Sequence, residues 1–499
     1  MIRDNKQVGK EDFVMEKNLT AGIFGSVLLM LGVFFLASCG GGGGDAPIQL
    51  SSVPGFSAGT LTKGSVIVNG VKFDAAAGAT VVIDDNPGTE AGLRDGMQAK
   101  VKGTMSSNGT TGVFDKVQAE PEVRGTMTGK GVDNFTVIGQ PVIVDDLTKV
   151  EDCTAAGVCT ARTFNDLADT NEVEVHGIRD DAGRVHATRV ERHIEDTLDE
   201  VKGTVAAPIV AGTSFALANG ATTITVVFTG ATFSPAGKSA ANLVAGALVE
   251  VHGGLNAFNA GTFTATKIDF DDAEFEALEG QHFEIEGLVS GLSGNNFKVG
   301  TMAVQMTGST IFRGGIAADL ANNIRVEVEG HKASGILQVE KVKFKDNIRI
   351  EADVTALTGT TAGNTLTVLG KTVKIATMTE INGALVGGAG VRVRGFASGS
   401  TITAIRIDVQ SGTTNANANV IQGPISAVSG TSSMTMVGLT VNTTAVDVGG
   451  FRDINDASIS AASFFSQLKT TAPATIVKAK GTFAGTTLTA KEVELEDPN

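Results

Sequence analysis

The stretch Val326-Glu327-Val328-Glu329-Gly330 alternates apolar and charged residues and then reaches a glycine. Near-copies of it recur at Ala99-Lys100-Val101-Lys102-Gly103, Val173-Glu174-Val175-His176-Gly177, Val249-Glu250-Val251-His252-Gly253, Val391-Arg392-Val393-Arg394-Gly395 and Val477-Lys478-Ala479-Lys480-Gly481. A period of two places the apolar residues on one face of a β-strand and the polar residues on the other. We therefore predict six half-buried strands, each ended by a turn at its glycine. Because the charges change sign between copies, we expect the polar face to be solvated rather than to bind one shared ligand.

The spacing of these copies divides the chain into modules. Successive glycines lie 74, 76, 77, 65 and 86 residues apart, which is typical of a tandem repeat. Units of this size are near the lower limit for an independent core, so we expect each module to lean on its sequence neighbours in a semi-rigid string. The predicted modules span residues 59–120, 121–198, 199–280, 281–348, 349–415 and 416–499, after a signal peptide (1–38) and a tether (39–58).

Other alternating runs surround the repeated stretch in each module. Asn69-Gly70 and Asn219-Gly220 follow such runs and predict hairpin turns. Five or six short strands in about 70 residues favour a closed barrel of the OB type, because closure removes edges that so small a sheet cannot cover. The predicted fold is all-β, with six tandem small OB-like antiparallel β-barrel modules after an N-terminal signal helix and a flexible tether.

With these glycine-anchored strands, residues 59 to about 496 resemble a tandem β-barrel repeat domain of unknown function that is found in bacterial lipoproteins. The resemblance implies an architecture and a location. It brings no catalytic residues to this sequence.

The N-terminal region has the features of an export signal. Lys17 precedes an apolar run over residues 21–36, which is followed by Ala37-Ser38-Cys39 and five glycines, and this pattern predicts a signal peptide with translation starting at Met1 or Met15. The pattern resembles a bacterial lipobox, which implies that Cys39 becomes the lipid-modified first residue. Gly40 then implies sorting to an outer membrane. The alternative is an uncleaved anchor, although the run is shorter than the roughly 20 residues of a membrane span.

Cys153 and Cys159 remain once Cys39 is assigned to lipidation. In an oxidising compartment, this pair is expected to form a local disulfide. A metal site or redox dithiol is the alternative, but five intervening residues exceed the two of a redox motif, and no second cysteine or histidine pair accompanies them.

The overall composition excludes some binding functions. The formal charge is −15, with 54 acidic residues against 39 basic ones, whereas nucleic-acid binding needs a cationic surface. The chain has no Trp and no Tyr, the residues that provide flat rings with a polar group, and this disfavours glycan binding.

Two polar clusters are candidate metal sites. The acidic connector after Ile268 contains Asp269, Asp271 and Asp272, and closely spaced carboxylates can bind calcium, although the order of residues is not that of a calcium loop. His176 and His186 lie on strands that should pair, with His193 nearby, and converging imidazoles suit a transition metal. The simpler alternatives are a solvated connector and a solvated strand face.

These features predict a non-catalytic lipoprotein of the bacterial cell envelope, bound to the membrane through Cys39. Its expected work is binding, spacing or scaffolding, with an envelope protein as the expected kind of partner. No Gly-x-Ser-x-Gly or His-Glu-x-x-His motif is present. The alternative is an envelope metalloprotein or hydrolase that uses the histidine and carboxylate clusters.

Overall fold

The computed structural model describes residues 52–496, apart from 63–65, 107–108, 146, 155–156, 194–197, 271–278, 316, 347, 399–400, 411–418, 455 and 472–473. The predicted signal helix, Cys39, Asp271 and Asp272 lie outside the described residues. The fold of the described part is all-β, as predicted. Within that part, no helix is long and apolar enough to span a membrane.

The strands form six small barrels in chain order. Barrel 1 contains β1 (Ser52–Thr62), β2 (Val66–Val68), β3 (Val71–Ile83), β4 (Asn86–Pro87), β5 (Gln98–Ser106) and β6 (Thr111–Ala119). Barrel 2 contains β7 (Val123–Thr128), β8 (Asn134–Val137), β9 (Gln140–Ile143), β10 (Lys149–Cys153), β11 (Cys159–Arg162), β12 (Glu172–Arg179) and β13 (Val185–His193). Barrel 3 contains β14 (Leu198–Val210), β15 (Ser214–Asn219), β16 (Thr222–Val227), β17 (Thr232–Ser234), β18 (Leu248–Gly254), β19 (Phe258–Asn259), β20 (Thr262–Thr264) and β21 (Lys267–Phe270).

The second half of the chain continues the series. Barrel 4 contains β22 (His282–Ser293), β23 (Asn296–Val299), β24 (Met302–Arg313), β25 (Arg325–Ala333) and β26 (Ile336–Phe344). Barrel 5 contains β27 (Ile348–Leu357), β28 (Thr365–Val368), β29 (Lys371–Asn382), β30 (Gly390–Ser398) and β31 (Thr401–Val409). Barrel 6 contains β32 (Asn419–Ser429), β33 (Ser433–Met436), β34 (Leu439–Asn442), β35 (Phe451–Arg452), the helix α1 (Ala461–Ser466), β36 (Ile476–Ala484) and β37 (Thr487–Glu496).

Barrel 4 shows the strand order that the barrels share. β22 pairs with β23, β23 with β24, β24 with β26, β26 with β25, and β25 returns to β22, which closes the barrel. The predicted OB-like barrel is confirmed. The β24–β26 pair is parallel, whereas an all-antiparallel module was expected. A short 3₁₀ turn, Ala317–Asp319, lies between β24 and β25, and this crossover brings β26 beside β24 in the same direction.

The repeated glycine lies inside its strand. β25 continues through Gly330 to Ala333, and the register with β26 shifts between Glu329 and Gly330 in a β-bulge. A Cβ at Gly330 would lie 2.0 Å from the backbone oxygen of Gln338. The same 2.0 Å approach to a partner carbonyl occurs at Gly103, Gly395 and Gly481. The prediction that the strand ends in a turn at this glycine is therefore wrong for five barrels, where the glycine allows a bulge in a longer hairpin. In barrel 3, β18 does end close to its glycine, at Gly254.

The barrels are joined in pairs through their first strands. β7 pairs with β14 and β27 with β32, which joins barrels 2 and 3 and barrels 5 and 6. β1 pairs in parallel with β22, which joins barrels 1 and 4. The expected contacts between sequence neighbours occur in the first two pairs, whereas the third pair joins barrels that are distant in sequence.

The first strand begins earlier than the tether boundary predicted. β1 starts at Ser52, inside the region 39–58 that was expected to be flexible. Residues of β1 pair with both β5 and β22, and the ring of Phe56 lies 5.3 Å from that of Phe283, centroid to centroid. Two partner strands and an aromatic contact thus order a segment whose composition resembles a linker.

The polar face of the repeated strands is also not solvated as expected. Glu174, Glu327 and Arg394 are each about 1 % exposed. Arg394 of barrel 5 binds Asp346, and its Nη2 donates to the backbone oxygen of Gly314 in barrel 4 at 2.9 Å. Lys102 and Lys480, in the first and last barrels, remain exposed. The polar positions of the inner barrels are covered because the barrels pack against one another.

Candidate functional site at the junction of barrels 1, 2 and 3

A turn of barrel 1 inserts two aspartates between barrels 2 and 3. Asp84 and Asp85 follow β3 with φ of 48° and 61°, the left-handed region that aspartate tolerates better than most residues. Asp84 faces barrel 2, where its carboxylate, that of Glu174 and the ring of His176 offer donor atoms within 4.8 Å of one another. Asp85 faces barrel 3, where Lys267 Nζ lies 2.9 Å from its Oδ2. This one turn of barrel 1 therefore contacts both barrel 2 and barrel 3.

Glu174 is the centre of the cluster in barrel 2. His176 Nε2 lies 2.9 Å from Glu174 Oε1, and His193 Nε2 lies 3.1 Å from Glu174 Oε2. His176 Nδ1 lies 3.0 Å from the backbone oxygen of Glu120. Both nitrogens of the buried His176 ring thus face acceptors, and an imidazole can donate at both only when it is protonated. The structure favours a buried imidazolium and carboxylate pair.

The pKa values in this cluster move in directions that agree with that pairing. Burial lowers the pKa of His176, but the hydrogen bond and charge of Glu174 outweigh it, so the pKa is raised. Burial raises the pKa of Glu174, but the hydrogen bonds of His176 and His193 bring it well below its usual value. Burial, followed by the charge of Glu174, raises the pKa of Asp84 to about 8. Asp84 is therefore largely protonated at neutral pH and does not add a full negative charge to the cluster.

The cluster in barrel 3 contains the predicted calcium ligand Asp269. Asp269 Oδ2 lies 2.7 Å from His252 Nε2 and 2.6 Å from Lys267 Nζ. Burial raises the pKa of Asp269, but these two partners lower it further than burial raises it. A calcium ion at this carboxylate would have to displace the lysine ammonium, so the contacts favour a salt bridge within barrel 3.

His176 and His186 bind different carboxylates. His186 Nε2 lies 2.9 Å from Asp180 Oδ2, and Arg184 Nε donates to the same oxygen at 2.6 Å. The third histidine, His193, instead joins His176 at Glu174. The structure thus brings together His176 and His193, while His186 lies on β13 and binds Asp180 in the β12–β13 turn.

Cys153 and Cys159 are joined by a disulfide, with Cα atoms 4.1 Å apart. The two residues face each other in the antiparallel pairing of β10 and β11. The bond links the two strands of the β10–β11 hairpin. This hairpin is additional to the five strands that close barrel 2.

A cavity of about 310 Å³ lies where barrels 1, 2 and 4 meet. Its lining includes Thr60, Asp145, Thr188 and Arg325. Arg325 already donates to Thr60 Oγ1 at 2.7 Å and to Glu286 Oε1 at 2.6 Å, and burial raises the pKa of Asp145. The cavity can accept a small polar molecule, but its charged groups point to no particular ligand class.

Sequence reasoning missed the residues that connect the two clusters. Asp84 and Asp85 precede Asn86-Pro87, which is a turn signal without any indication of the barrels that the turn contacts. Glu174 is one of the repeated polar positions, and its role depends on packing between barrels.

The fold and the junction together define a class, a tandem array of OB-like barrels held together by buried ion pairs. Four segments match the family described as Domain of unknown function (DUF5666), at residues 124–191, 202–269, 286–343 and 351–408, or about half of the chain. The chain belongs to this family, and the resemblance to a repeated domain of unknown function is confirmed. The segments correspond to barrels 2–5, and barrels 1 and 6 have the same strand order. Comparison with curated proteins found no match.

Proposed function

We propose that the protein is a lipid-anchored, non-catalytic component of the bacterial cell envelope, where its six barrels act in binding, spacing or scaffolding. The observation that carries this proposal is the use of the repeated polar positions. Glu174 of barrel 2 binds His176, His252 of barrel 3 lies 3.4 Å from Asp85 of barrel 1, and Arg394 of barrel 5 donates to Gly314 of barrel 4. These side chains hold the array together, as a scaffold requires.

The chemistry of the junction supports a structural role. A general base needs a nitrogen or carboxylate free to take a proton from a substrate. Both nitrogens of His176 already face acceptors. The Oδ2 atom of Asp269 already contacts His252 and Lys267. Perturbed pKa values also arise in structural ion-pair networks, which is the interpretation that these contacts favour.

The envelope location is supported by two cysteine features. Cys39 lies in a lipobox-like sequence, and a disulfide at Cys153 and Cys159 suits an oxidising compartment outside the cytosol. A protein partner in the envelope would meet the exposed loops between strands, since the repeated polar positions of the inner barrels are largely covered.

The anchor is tested by replacing Cys39 with alanine and separating membranes from the soluble fraction. Cys39→Ala should move the protein from the membrane fraction to the soluble fraction, because the cysteine would be the site of lipid attachment. Cys159→Ala is the matched control and should stay with the membranes. Tight membrane association of the Cys39→Ala protein would contradict the lipid anchor.

A further inference from the structure

Two histidines that the sequence reasoning did not consider face each other in barrel 4. His282 on β22 and His331 on β25 are directly opposite in the antiparallel register. Their ring centroids are 5.4 Å apart and the ring planes cross at 69°. Their side chains are 19 % and 47 % exposed. Since the rings are neither stacked nor buried, their nitrogens can face one point that solvent reaches.

Glu340 joins this pair through the bulge that opposes Gly330. Glu329 faces Lys341 and Gly330 faces Val339, so Glu340 is the extra residue of the bulge, a position that redirects a side chain. Its Oε1 lies 3.0 Å from His331 Nδ1. Donor atoms of His282, His331 and Glu340 lie within 4.8 Å of one another.

The buried carboxylate of Glu284, two residues after His282 on β22, is an independent indication of a cation site. Glu284 is 2 % exposed, and its Oε2 has no hydrogen-bond partner. Its Oε1 is 3.7 Å from His282 Nε2, too long for a hydrogen bond. Glu284 also faces Glu329 across the strands, and like charges directly opposite are unfavourable. A buried polar atom without a partner needs an explanation, and a cation held next to it by His282 would provide one.

We propose that His282, His331 and Glu340 form a binding site for a divalent transition metal of the Zn²⁺ type, with Glu284 beside it. Two imidazoles and one carboxylate are a common ligand set for zinc, whereas calcium takes several oxygen ligands. Three protein ligands leave a coordination position open to water or to a group from a partner. This site is separate from the junction and does not depend on the proposed scaffold function.

The nearby lysines do not occupy this position. Lys341 Nζ lies 2.6 Å from Glu329 Oε2, and Lys343 Nζ lies 2.8 Å from Glu329 Oε1. Both ammonium groups thus bind Glu329, which lies two residues before His331 on β25, and not the His282, His331 and Glu340 cluster. At Asp269, in contrast, the ammonium group of Lys267 binds the carboxylate directly. For this reason we assign the metal to barrel 4 rather than to the junction.

The test is a zinc titration of the full-length protein, purified in detergent and freed of metal, in competition with a chromogenic chelator. The wild type should bind Zn²⁺ saturably, and His331→Asn and His282→Asn should each bind about tenfold more weakly or worse, since even outer-shell partners of a metal commonly contribute tenfold. Glu340→Gln should weaken binding in the same direction. His186→Asn is the matched control, because His186 is also 19 % exposed and paired with a carboxylate, and its affinity should equal that of the wild type.

A second readout separates loss of the site from loss of folding. Zn²⁺ should raise the unfolding temperature of the wild type and of His186→Asn but not of the double variant His282→Asn with His331→Asn, which should unfold at the wild-type temperature without metal. Absence of saturable binding by the wild type, or undiminished binding by the double variant, would overturn the proposal. Loss of binding in Glu174→Gln with retention in the double variant would place zinc at the junction and would also overturn it.

Discussion

At the polar positions of the repeated strand, several side chains have a partner of opposite charge in their own surroundings. Glu174 lies against His176 and His193, Arg394 against Asp346, and Lys478 Nζ lies 3.2 Å from Glu496 Oε1. Removing one member of a buried pair leaves an uncompensated charge and is strongly destabilising. A change of sign at these positions is therefore tolerated when the neighbour changes as well, which explains why the repeats share a pattern but not a charge.

Asp84 should make stability depend on pH. Its pKa rises from 3.8 to about 8 on folding, so the folded protein holds this proton more tightly and stability falls as pH rises through that range. The raised pKa of His176 acts in the same direction, since its contribution is complete below its unfolded pKa of 6.5 and is lost as pH rises through the folded value. Asp84→Asn removes the first effect. At about pH 8 this substitution should raise the unfolding temperature by roughly 2–4 °C. A shift of this size corresponds to a gain of about 1 kcal/mol in the free energy of unfolding of a unit as large as two barrels.

Asp85→Asn is the adjacent control for thermal unfolding measured between about pH 5 and pH 8. It removes one of the two carboxylate partners of Lys267 and should lower the unfolding temperature across this range. If Asp84→Asn and Asp85→Asn shift the unfolding temperature at pH 8 in the same direction, the assignment of Asp84 as a largely protonated residue is wrong.

At the scale of the element, the repeated unit is a bulged hairpin. In barrel 4, β25 and β26 pair on both sides of Gly330, and the bulge frees Glu340 from the ladder. The corresponding extra residues are Asp115, Thr188, Ile405 and Lys491 in barrels 1, 2, 5 and 6. These five barrels thus share the bulge, while the residue at the bulge differs from one barrel to the next.

Gly330→Ala tests the close approach at the bulge. The added Cβ would meet the backbone oxygen of Gln338 at 2.0 Å, which the strands can relieve only by moving apart, and overpacking of this kind costs about 3 kcal/mol. The unfolding temperature should fall accordingly. Gly308→Ala, where nothing lies within 4 Å of the new Cβ, should leave it nearly unchanged. Equal effects of the two substitutions would show that the glycine is not required by the bulge.

At the scale of the whole molecule, contacts between distant parts of the chain join barrels 1 and 4. The backbone N–H of Thr60 donates to Glu286 Oε2 at 3.0 Å across 226 residues of sequence. Arg325 Nη2 of barrel 4 also donates to Thr60 Oγ1. Barrels 2 and 3 lie between these two in sequence, so the chain leaves barrel 1, completes a second pair and then returns to complete the first.

Phe56→Ala tests this long-range pair by hydrogen exchange. Loss of the ring that packs on Phe283 should cost about 3 kcal/mol and raise amide exchange at residues 52–58 and 282–285, while β2 and β3 stay protected. Phe73→Ala, inside barrel 1, is the control and should raise exchange in β2 and β3. Unchanged exchange at residues 282–285 in Phe56→Ala would contradict the pairing of barrels 1 and 4.

The strands and their barrels follow from local rules, and this is why the fold class was predictable. Alternation in Val326-Glu327-Val328-Glu329 and the Asn69-Gly70 turn act within a few residues. The candidate site was harder to predict. Lys267 and His252 belong to barrel 3, but their partner Asp85 belongs to barrel 1, and no local pattern connects them. The His282, His331 and Glu340 cluster depends on strand register and on the position of a bulge.

The sequence alone indicated the all-β class, the number of repeats, the barrel type and the expected chemistry of Cys39. Each of these depends on the periodicity of side chains or on a short motif. The tertiary structure decided which barrels pair, that the repeated polar face is covered, and which charges meet at Asp84 and Asp85. The physical reason is that the alternating pattern places polar residues on the outer face of the barrel in every copy. Complementarity between two such faces depends on the whole surface, and it appears only when the barrels are packed together.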